Sequence, residues 1–450
     1  MDRIRKLWNG EQPYEPISDG STESDGQEQS DIKTPPFSIL NYSIFLLLGV
    51  SMLWAWNMFL AAGPYFQHRF RDDEWIFKNF QAAEVSVSTI TNLVSMLILT
   101  RLQANASYPK RIISSLFINM AIFTLLAVST SIRASAKEYF GFLMVMMLGT
   151  SLATGLCQNG IFAYVSGFGQ PAYTQGIMTG QAVAGVLPCI VQIVSVLSVD
   201  ASENEPAGPP EDTPNGPPPV RSTAALAYFL TATVIAVATL LAFLYLLARN
   251  RKPEKTQHNS LPDPQDDASD KKTVPLLTLF RKLFWLASGV FITFGVTMVF
   301  PVFTQQIVSV LPIEDQSPLM RPPSFIPLAF LFWNAGDLLG RLITAVPALS
   351  LVRRPKIVFV LAVSRVAFVG LYHLCNIRGE GAVVNSDFFY LVIVQLLFGL
   401  TNGYLGSTCM IGAGEWVEPE EREVAGGFMG LCLVAGLAVG SLLSFFAAGA

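Results

Sequence analysis

Residues Phe330–Val346 read FLFWNAGDLLGRLITAV, an apolar run of membrane-crossing length interrupted near its middle by Asp337 and Arg341. On a helix, residues four apart share a face, so these two charges can partly neutralise each other. A carboxylate and a guanidinium in hydrocarbon are costly unless they face a bundle interior or a wet cavity, which marks such a pair as a functional site by default. The plainer alternative is an ion pair that only locks two helices together.

The surrounding chain is of the same kind. Hydrophobic residues make up 51% of its 450 positions and charged residues only 14%. The mean hydropathy of +0.45 lies well above that of a soluble globular chain. Windows of about 20 residues, the length that crosses a hydrocarbon core of about 30 Å, give eleven candidate spans: Ser38–Ala62, Ala83–Leu102, Ile112–Ile132, Tyr139–Ser166, Tyr173–Leu197, Ala224–Leu247, Phe284–Val310, Ser324–Pro347, Lys356–Leu374, Asp387–Ala413 and Val424–Ala447. The fold class is therefore an all-α polytopic membrane protein with eleven transmembrane helices.

An odd number of spans puts the termini on opposite faces, and basic residues mark the cytoplasmic one. With the N-terminus in the cytoplasm, 19 of the 29 Lys and Arg fall inside and 8 outside, leaving Arg341 and Arg365 within spans. That bias sets the expected orientation, with the C-terminus extracellular or lumenal. Residues 1–37 form a polar tail, rich in Ser, Asp, Glu and Gln, that lacks the apolar content to fold alone. The first apolar run is too long for a cleavable signal and begins too late. A cytoplasmic linker at 248–283 then divides six spans (38–247) from five (284–450). Such a 6 + 5 division suggests two helical bundles with a pathway between them, as in alternating-access carriers.

Chemistry on the substrate is not indicated. Cys157, Cys189, Cys375, Cys409 and Cys432 are scattered without a CxxC, and His68, His258 and His373 are isolated. With no phosphate-binding loop, dinucleotide fingerprint or catalytic triad pattern either, neither an enzyme, a metal site nor a cofactor is expected.

Polar residues inside the spans point to a ligand. Span 1 ends LWAWNMFLAAGPYF (Leu53–Phe66), which places Trp56 deep in the span beside Asn57. An aromatic face next to an amide can stack on a planar ligand, or simply pack between helices. Span 5 opens GQPAYTQGIMTGQAVAG (Gly169–Gly185), where Gly176 and Gly180 allow close helix approach and Gln181 needs a donor and an acceptor partner. Gln181 either joins two helices or reads the edge of an uncharged polar ligand. Gln158 and Asn159 in span 4 are similar. The four-residue glycine spacing recurs at Gly336/Gly340, Gly399/Gly403, Gly426/Gly430 and Gly436/Gly440. Arg365, nine residues into span 9, is expected to snorkel to the cytoplasmic interface.

Taken together, WNMF (Trp56–Phe59), PAYTQGIMTGQAVAG (Pro171–Gly185), FGVTMVFPVF (Phe294–Phe303), FWNAGDLLGR (Phe332–Arg341), LCN (Leu374–Asn376), NGYLGSTCM (Asn402–Met410) and the glycine-rich span after EVAGG (Glu423–Gly427) resemble the equilibrative nucleoside transporter family, and in composition its fungal members. The resemblance implies a carrier for purine and pyrimidine nucleosides, and for nucleobases in some members. Such a carrier works down a gradient by alternating access, in a fold similar to the major facilitator architecture. It further implies that Trp56 contacts the nucleobase, Gln181 hydrogen-bonds its edge, and Asp337 and Arg341 meet the nucleoside, with ribose hydroxyls as their targets. Leu53, Leu60, Phe330 and Asn334 would line the same pocket. Two departures stand out: Ala55 replaces a frequent proline, and the loop EWVEPEEREVAGG (Glu415–Gly427) is acidic where several members are basic.

A major facilitator-type carrier of another small polar solute remains an alternative, although LQANASYPKR (Leu102–Arg111) lacks the charged loop motif of that superfamily. A nucleoside-binding receptor without transport is another. With Arg341 beside Asp337, facilitated diffusion is expected rather than proton-driven uptake. The expected partners are nucleoside and lipid bilayer, not nucleic acid, with the chain monomeric. Tyr14–Ile17 fits a tyrosine-based sorting pattern suited to a vacuolar or lysosomal membrane, with the plasma membrane as the other possibility, and Asn105 is a glycosylation acceptor on the expected cytoplasmic side.

Overall fold

Asp73 ends a turn by accepting a hydrogen bond from the Ile76 amide, and a helix runs from there to Arg101. Capping of this kind starts several helices in the computed structural model, which describes residues 37–102, 106–202, 219–250 and 274–448. Tyr14–Ile17 and Asn105 lie outside them. Ser135 and Glu138 form a reciprocal capping box at the head of another helix. Among the described residues, eleven helices are long and apolar enough to cross a membrane: α1 Ile39–Ala61, α2 Glu74–Arg101, α3 Tyr108–Ser129, α4 Ala136–Gly167, α5 Pro171–Val194, α6 Thr223–Asn250, α7 Leu276–Thr304, α8 Pro322–Ile343, α9 Pro355–Tyr372, α10 Phe389–Glu415 and α11 Pro419–Ser444.

Most spans start a few residues earlier than hydropathy alone indicates, and two start more than two turns earlier. α2 begins at Glu74 rather than Ala83, and α7 at Leu276 rather than Phe284. In both, the added turns carry two charges each, Glu74 and Lys78 (paired at 2.7 Å) in α2 and Arg281 and Lys282 in α7, so an apolar window stops short of them although the backbone is helical. Three spans are also irregular. α7 breaks at Met298, three residues before Pro301, which has no amide hydrogen to give. α9 breaks between Ser364 and Ala367, and α10 opens with a π-helical segment, Phe389–Leu396.

Successive spans alternate in direction. The start of α1 therefore shares one face, here called proximal, with the ends of α2, α4, α6, α8 and α10; the other face is distal. Residues Pro35–Ala450 pack as one unit, with α5 lying against α1 and α8, α10 against α8, α7 against α11, and α11 also against α4 and α2.

The repeated glycines explain how tightly these pairs close. A Cβ on Gly336 or Gly340 of α8 would run into the backbone of α10 at Leu396 and Leu400. Cβ atoms on Gly399 and Gly403 of α10 would run into α8 at Trp333 and Asp337. The two glycine pairs thus face each other, so the helices touch backbone to backbone. Gly180 approaches Leu46 and Val50 of α1 in the same way.

Replacing Gly340 by Leu should therefore wedge α8 from α10, an overpacking that costs about 1–3 kcal/mol or more. The thermal midpoint of the detergent-purified protein should drop clearly. Gly370→Ala, where a Cβ meets nothing within 4 Å, should leave that midpoint almost unchanged.

Candidate functional site

The backbone contact between α8 and α10 carries Asp337 deep into the bundle, where it is 3% exposed and Arg341 4%. Arg341 Nε donates to Asp337 Oδ2 at 2.8 Å. The other carboxylate oxygen, Oδ1, accepts from Asn402 Nδ2 of α10 at 2.7 Å. Arg341 also reaches across to α5: its Nη1 donates to the Met178 carbonyl at 2.6 Å and to Gln181 Oε1 at 3.1 Å. Close packing of Gly180 on α1 brings the Gln181 amide to Met52, whose sulfur it meets at 2.7 Å. One hydrogen-bonded string thus joins α10, α8, α5 and α1 around the charged pair. Every partner of the two charges is itself buried, which is how a bilayer-depth ion pair avoids leaving a charge uncompensated.

On the distal side of this string the facing side chains open up. Asn334, one turn from Asp337 and half-buried, donates to the Phe330 carbonyl at 2.9 Å and lies 3.5 Å from Cys189 Sγ. Gly185 leaves room for its amide, since a Cβ there would strike Asn334 Oδ1. Phe330 is half-buried and packs edge-on against Phe300, with ring centres 5.0 Å apart. On α1, Trp56 lies one turn distal of Met52 and is half-buried, as is Leu53. Asn57 beside it donates to the Ala184 carbonyl at 2.7 Å, which ties α1 to α5. Leu60 continues the Leu53–Trp56 stripe but is 54% exposed, further from the charges than the others. The structure therefore brings Asp337, Arg341 and Gln181 into direct contact and sets Asn334, Trp56 and Leu53 about one turn away, with Phe330 and Leu60 higher still.

Proximal of the string the packing is closed. Gln175 accepts from Tyr42 Oη at 3.0 Å, and its Nε2 donates to Thr179 at 3.1 Å. At the rim the acidic loop finds basic partners: Glu421 pairs with Lys282 at 2.7 Å and Glu415 with Arg353 at 3.9 Å. Arg422 lies against Gly169 beside a crevice of about 50 Å³. The pair accordingly forms the floor beneath a set of half-exposed aromatic and amide side chains.

Arg365 departs from its expected place. It is 1% exposed and does not reach an interface. The break in α9 at this residue turns the guanidinium inward, where Nε donates to Thr401 Oγ1 at 3.2 Å, Nη2 to Thr297 Oγ1 at 3.0 Å and Nη1 to the Thr293 carbonyl. Its carbon sits 4.6 Å from the centre of the Phe398 ring. Snorkelling requires a free path along the helix to water, and the surrounding spans occupy that path. Asn402 and Thr297 lie in stretches that carry the family resemblance, yet sequence reasoning gave neither a role, because a lone amide or hydroxyl in an apolar span is unremarkable until its partner is known. Gln158 and Asn159 belong elsewhere: they bond Asn92 and Thr100 of α2 at 3.3 Å, and Asn159 also accepts from Arg111. Among the described residues no group of three His, Cys, Asp or Glu could hold a metal.

Comparison with known proteins bears on the family and the fold. The sequence model of the family described as "Nucleoside transporter" matches residues 142–260 and 246–448. Nucleoside transporter FUN26 of Saccharomyces cerevisiae is 30% identical, over 90% of this chain and 83% of that one. Equilibrative nucleoside transporter 1 of Homo sapiens is 25% identical, over 89% and 95%. Among solved structures, the major facilitator transporter FucP in its outward conformation superposes with a TM-score of 0.55 at 16% identity, covering 91% of this chain and 92% of that one. The proton:xylose symporter XylE does so with 0.56 at 10%, covering 90% and 86%. At these identities the likeness is one of fold, and the fold is that of the major facilitator transporters.

Removing one member of a buried ion pair strands the other. Asp337→Ala should destabilise the protein by about 3–5 kcal/mol, read as a lower thermal midpoint in detergent. Adding Arg341→Met should recover part of the loss, because the stranded cation goes with it. Strict additivity of the two losses would show that the charges do not act as a pair.

Proposed function

We propose, from the premise that this chain belongs to the nucleoside transporter family, that Asp337, Arg341 and Gln181 form the polar floor of its substrate site. The protein is a multi-pass membrane protein that transports nucleosides. The observation that carries the site assignment is the contact of Arg341 with Gln181 across α8 and α5 at 3.1 Å, directly beneath the half-exposed Trp56, Leu53, Asn334 and Phe330.

The chemistry of a nucleoside suits these groups. Ribose hydroxyls donate to a carboxylate, and the base offers a flat face to an indole and a hydrogen-bonding edge to an amide. Gln181 is the most easily recruited group, because its Nε2 meets a thioether, a weak acceptor that a base carbonyl or ring nitrogen would outcompete. Trp56 stacks on the base from α1, while Leu53, Leu60, Phe330 and Asn334 complete the walls. A ligand that draws Arg341 or Gln181 toward itself loosens a bond between α8 and α5. Binding is thereby coupled to the seam along which the six-span and five-span halves (38–247 and 284–450) rock in alternating access.

Transport is downhill, for purine and pyrimidine nucleosides, by a monomer with no cofactor. The proximal face, which gathers most of the Lys and Arg, is the cytoplasmic one, which puts the C-terminus in the extracellular or lumenal space of a plasma or vacuolar/lysosomal membrane. Nucleobases are a further candidate substrate.

Uptake of labelled adenosine and uridine into liposomes holding the purified protein tests this reading. Saturable flux in the wild type should fall at least tenfold in Trp56→Ala and Asp337→Ala, compared at equal amounts of folded, reconstituted protein. A pH gradient imposed without a nucleoside gradient should drive no accumulation. Undiminished flux in both variants would place the site elsewhere.

A further inference from the structure

Asp337 receives two hydrogen bonds from two different helices, and only one of them comes from its ion-pair partner. The second, from Asn402, belongs to a longer line of donors. Arg365 Nη2 of α9 donates to Thr297 Oγ1 of α7 at 3.0 Å. Thr297 Oγ1 lies 2.6 Å from Asn402 Oδ1, and Asn402 Nδ2 lies 2.7 Å from Asp337 Oδ1. The four members are 1%, 7%, 1% and 3% exposed, in that order.

Each link has its direction imposed by the one before. A guanidinium only donates, so the Thr297 oxygen accepts from Arg365 and its own hydrogen must go elsewhere. The Thr293 carbonyl, 2.7 Å from that hydroxyl, already receives Arg365 Nη1, which leaves Asn402 Oδ1 as the better acceptor. With its oxygen facing Thr297, the Asn402 amide must turn its NH₂ to Asp337, where an ionised carboxylate can only accept. A single donor from Arg341 would leave the carboxylate free to swing about its Cβ–Cγ bond. A second donor on the other oxygen, from another helix, fixes its plane.

We infer that Asn402, oriented by Thr297 and Arg365, is a positioning residue that sets the plane of the Asp337 carboxylate and so tunes the carrier for a ribose diol. This rests on the assignment of Asp337 to the ribose. Each carboxylate oxygen keeps one lone pair after its bond to Arg341 or Asn402, and two lone pairs held in a fixed plane suit two neighbouring hydroxyl donors. The charged side chains on this line are Asp337, Arg341 and Arg365, and the role of Asn402 is to deliver a donor from the cationic end without adding a charge.

The test compares uptake of labelled uridine with that of 2′,3′-dideoxyuridine in proteoliposomes, for wild type, Asp337→Asn, Asn402→Ala and Asn402→Asp. The wild type should prefer uridine, and Asp337→Asn should erase the preference; if that preference survives, the ribose assignment fails and this inference with it. Given that result, Asn402→Ala should raise the KM for uridine about tenfold or more and leave that for the dideoxy analogue nearly unchanged. Equal losses of Vmax for both substrates, with KM intact, would mean that Asn402 only supports the fold and would overturn the proposal. Asn402→Asp is a nearly isosteric second probe that sets two carboxylates face to face, a contact that forms only when they share a proton. Its uridine uptake should be weak at alkaline pH and recover as the pH falls, against a flat wild-type profile. A flat profile in this variant as well would also overturn the proposal.

Discussion

Two charges at bilayer depth impose the condition that the rest of this structure meets. Asp337 and Arg341 cannot be solvated by lipid, and their mutual attraction does not satisfy their remaining lone pairs and N–H groups. The protein completes them with a carbonyl from Met178, an amide from Gln181 and an amide from Asn402, drawn from α5 and α10. A third charge, Arg365, is completed by hydroxyls and carbonyls of α7 and α10 and by the face of Phe398. Five of the spans are thereby committed to three side chains.

Such bonds need helices closer than ordinary side chains permit. The facing glycine pairs of α8 and α10, and Gly180 against α1, bring backbones into contact and let a short amide such as Asn402 or Gln181 reach its partner. Small residues therefore do two things here: they allow van der Waals packing where lipid offers no hydrophobic drive, and they bring polar groups within hydrogen-bonding distance. Away from the charges the packing is aromatic, as in the Phe300–Trp333 stack with ring centres 4.3 Å apart.

A carrier must hold its halves together and still release them. Beside the charged pair, α8 is joined to α5 by directional bonds from Arg341 to Met178 and Gln181, and the Gln181 amide in turn meets only a thioether, Met52 of α1. A polar ligand can replace such bonds one for one, whereas it could not replace an interdigitated apolar core. The rim behaves similarly: the acidic loop before α11 is matched by Lys282 and Arg353, surface pairs of modest strength. The reversal of its charge relative to several family members thus has a local counterpart.

Hydropathy, charge bias and motif order were enough to establish eleven spans, a transporter fold, and Asp337, Arg341 and Gln181 as the residues to examine, because an apolar run of bilayer length has few alternatives and a charge inside it is conspicuous. The helical starts at Glu74 and Leu276 were invisible to the same reasoning, since the charges at Glu74, Lys78, Arg281 and Lys282 end an apolar window before the helix itself ends. Arg365 was read as a surface-seeking side chain because its inward path depends on a break in its own helix and on hydroxyls carried by Thr297 and Thr401, more than 30 residues away. Asn402 opened a stretch that carried the family resemblance, but nothing along the chain gave it a role or a partner. The sequence by itself places Asp337 and Arg341 at bilayer depth, since that follows from their neighbours along the chain; which groups complete a charge, and whether one such as Arg365 turns inward at all, depends on helix contacts across the bundle, and those are decided only when the spans pack.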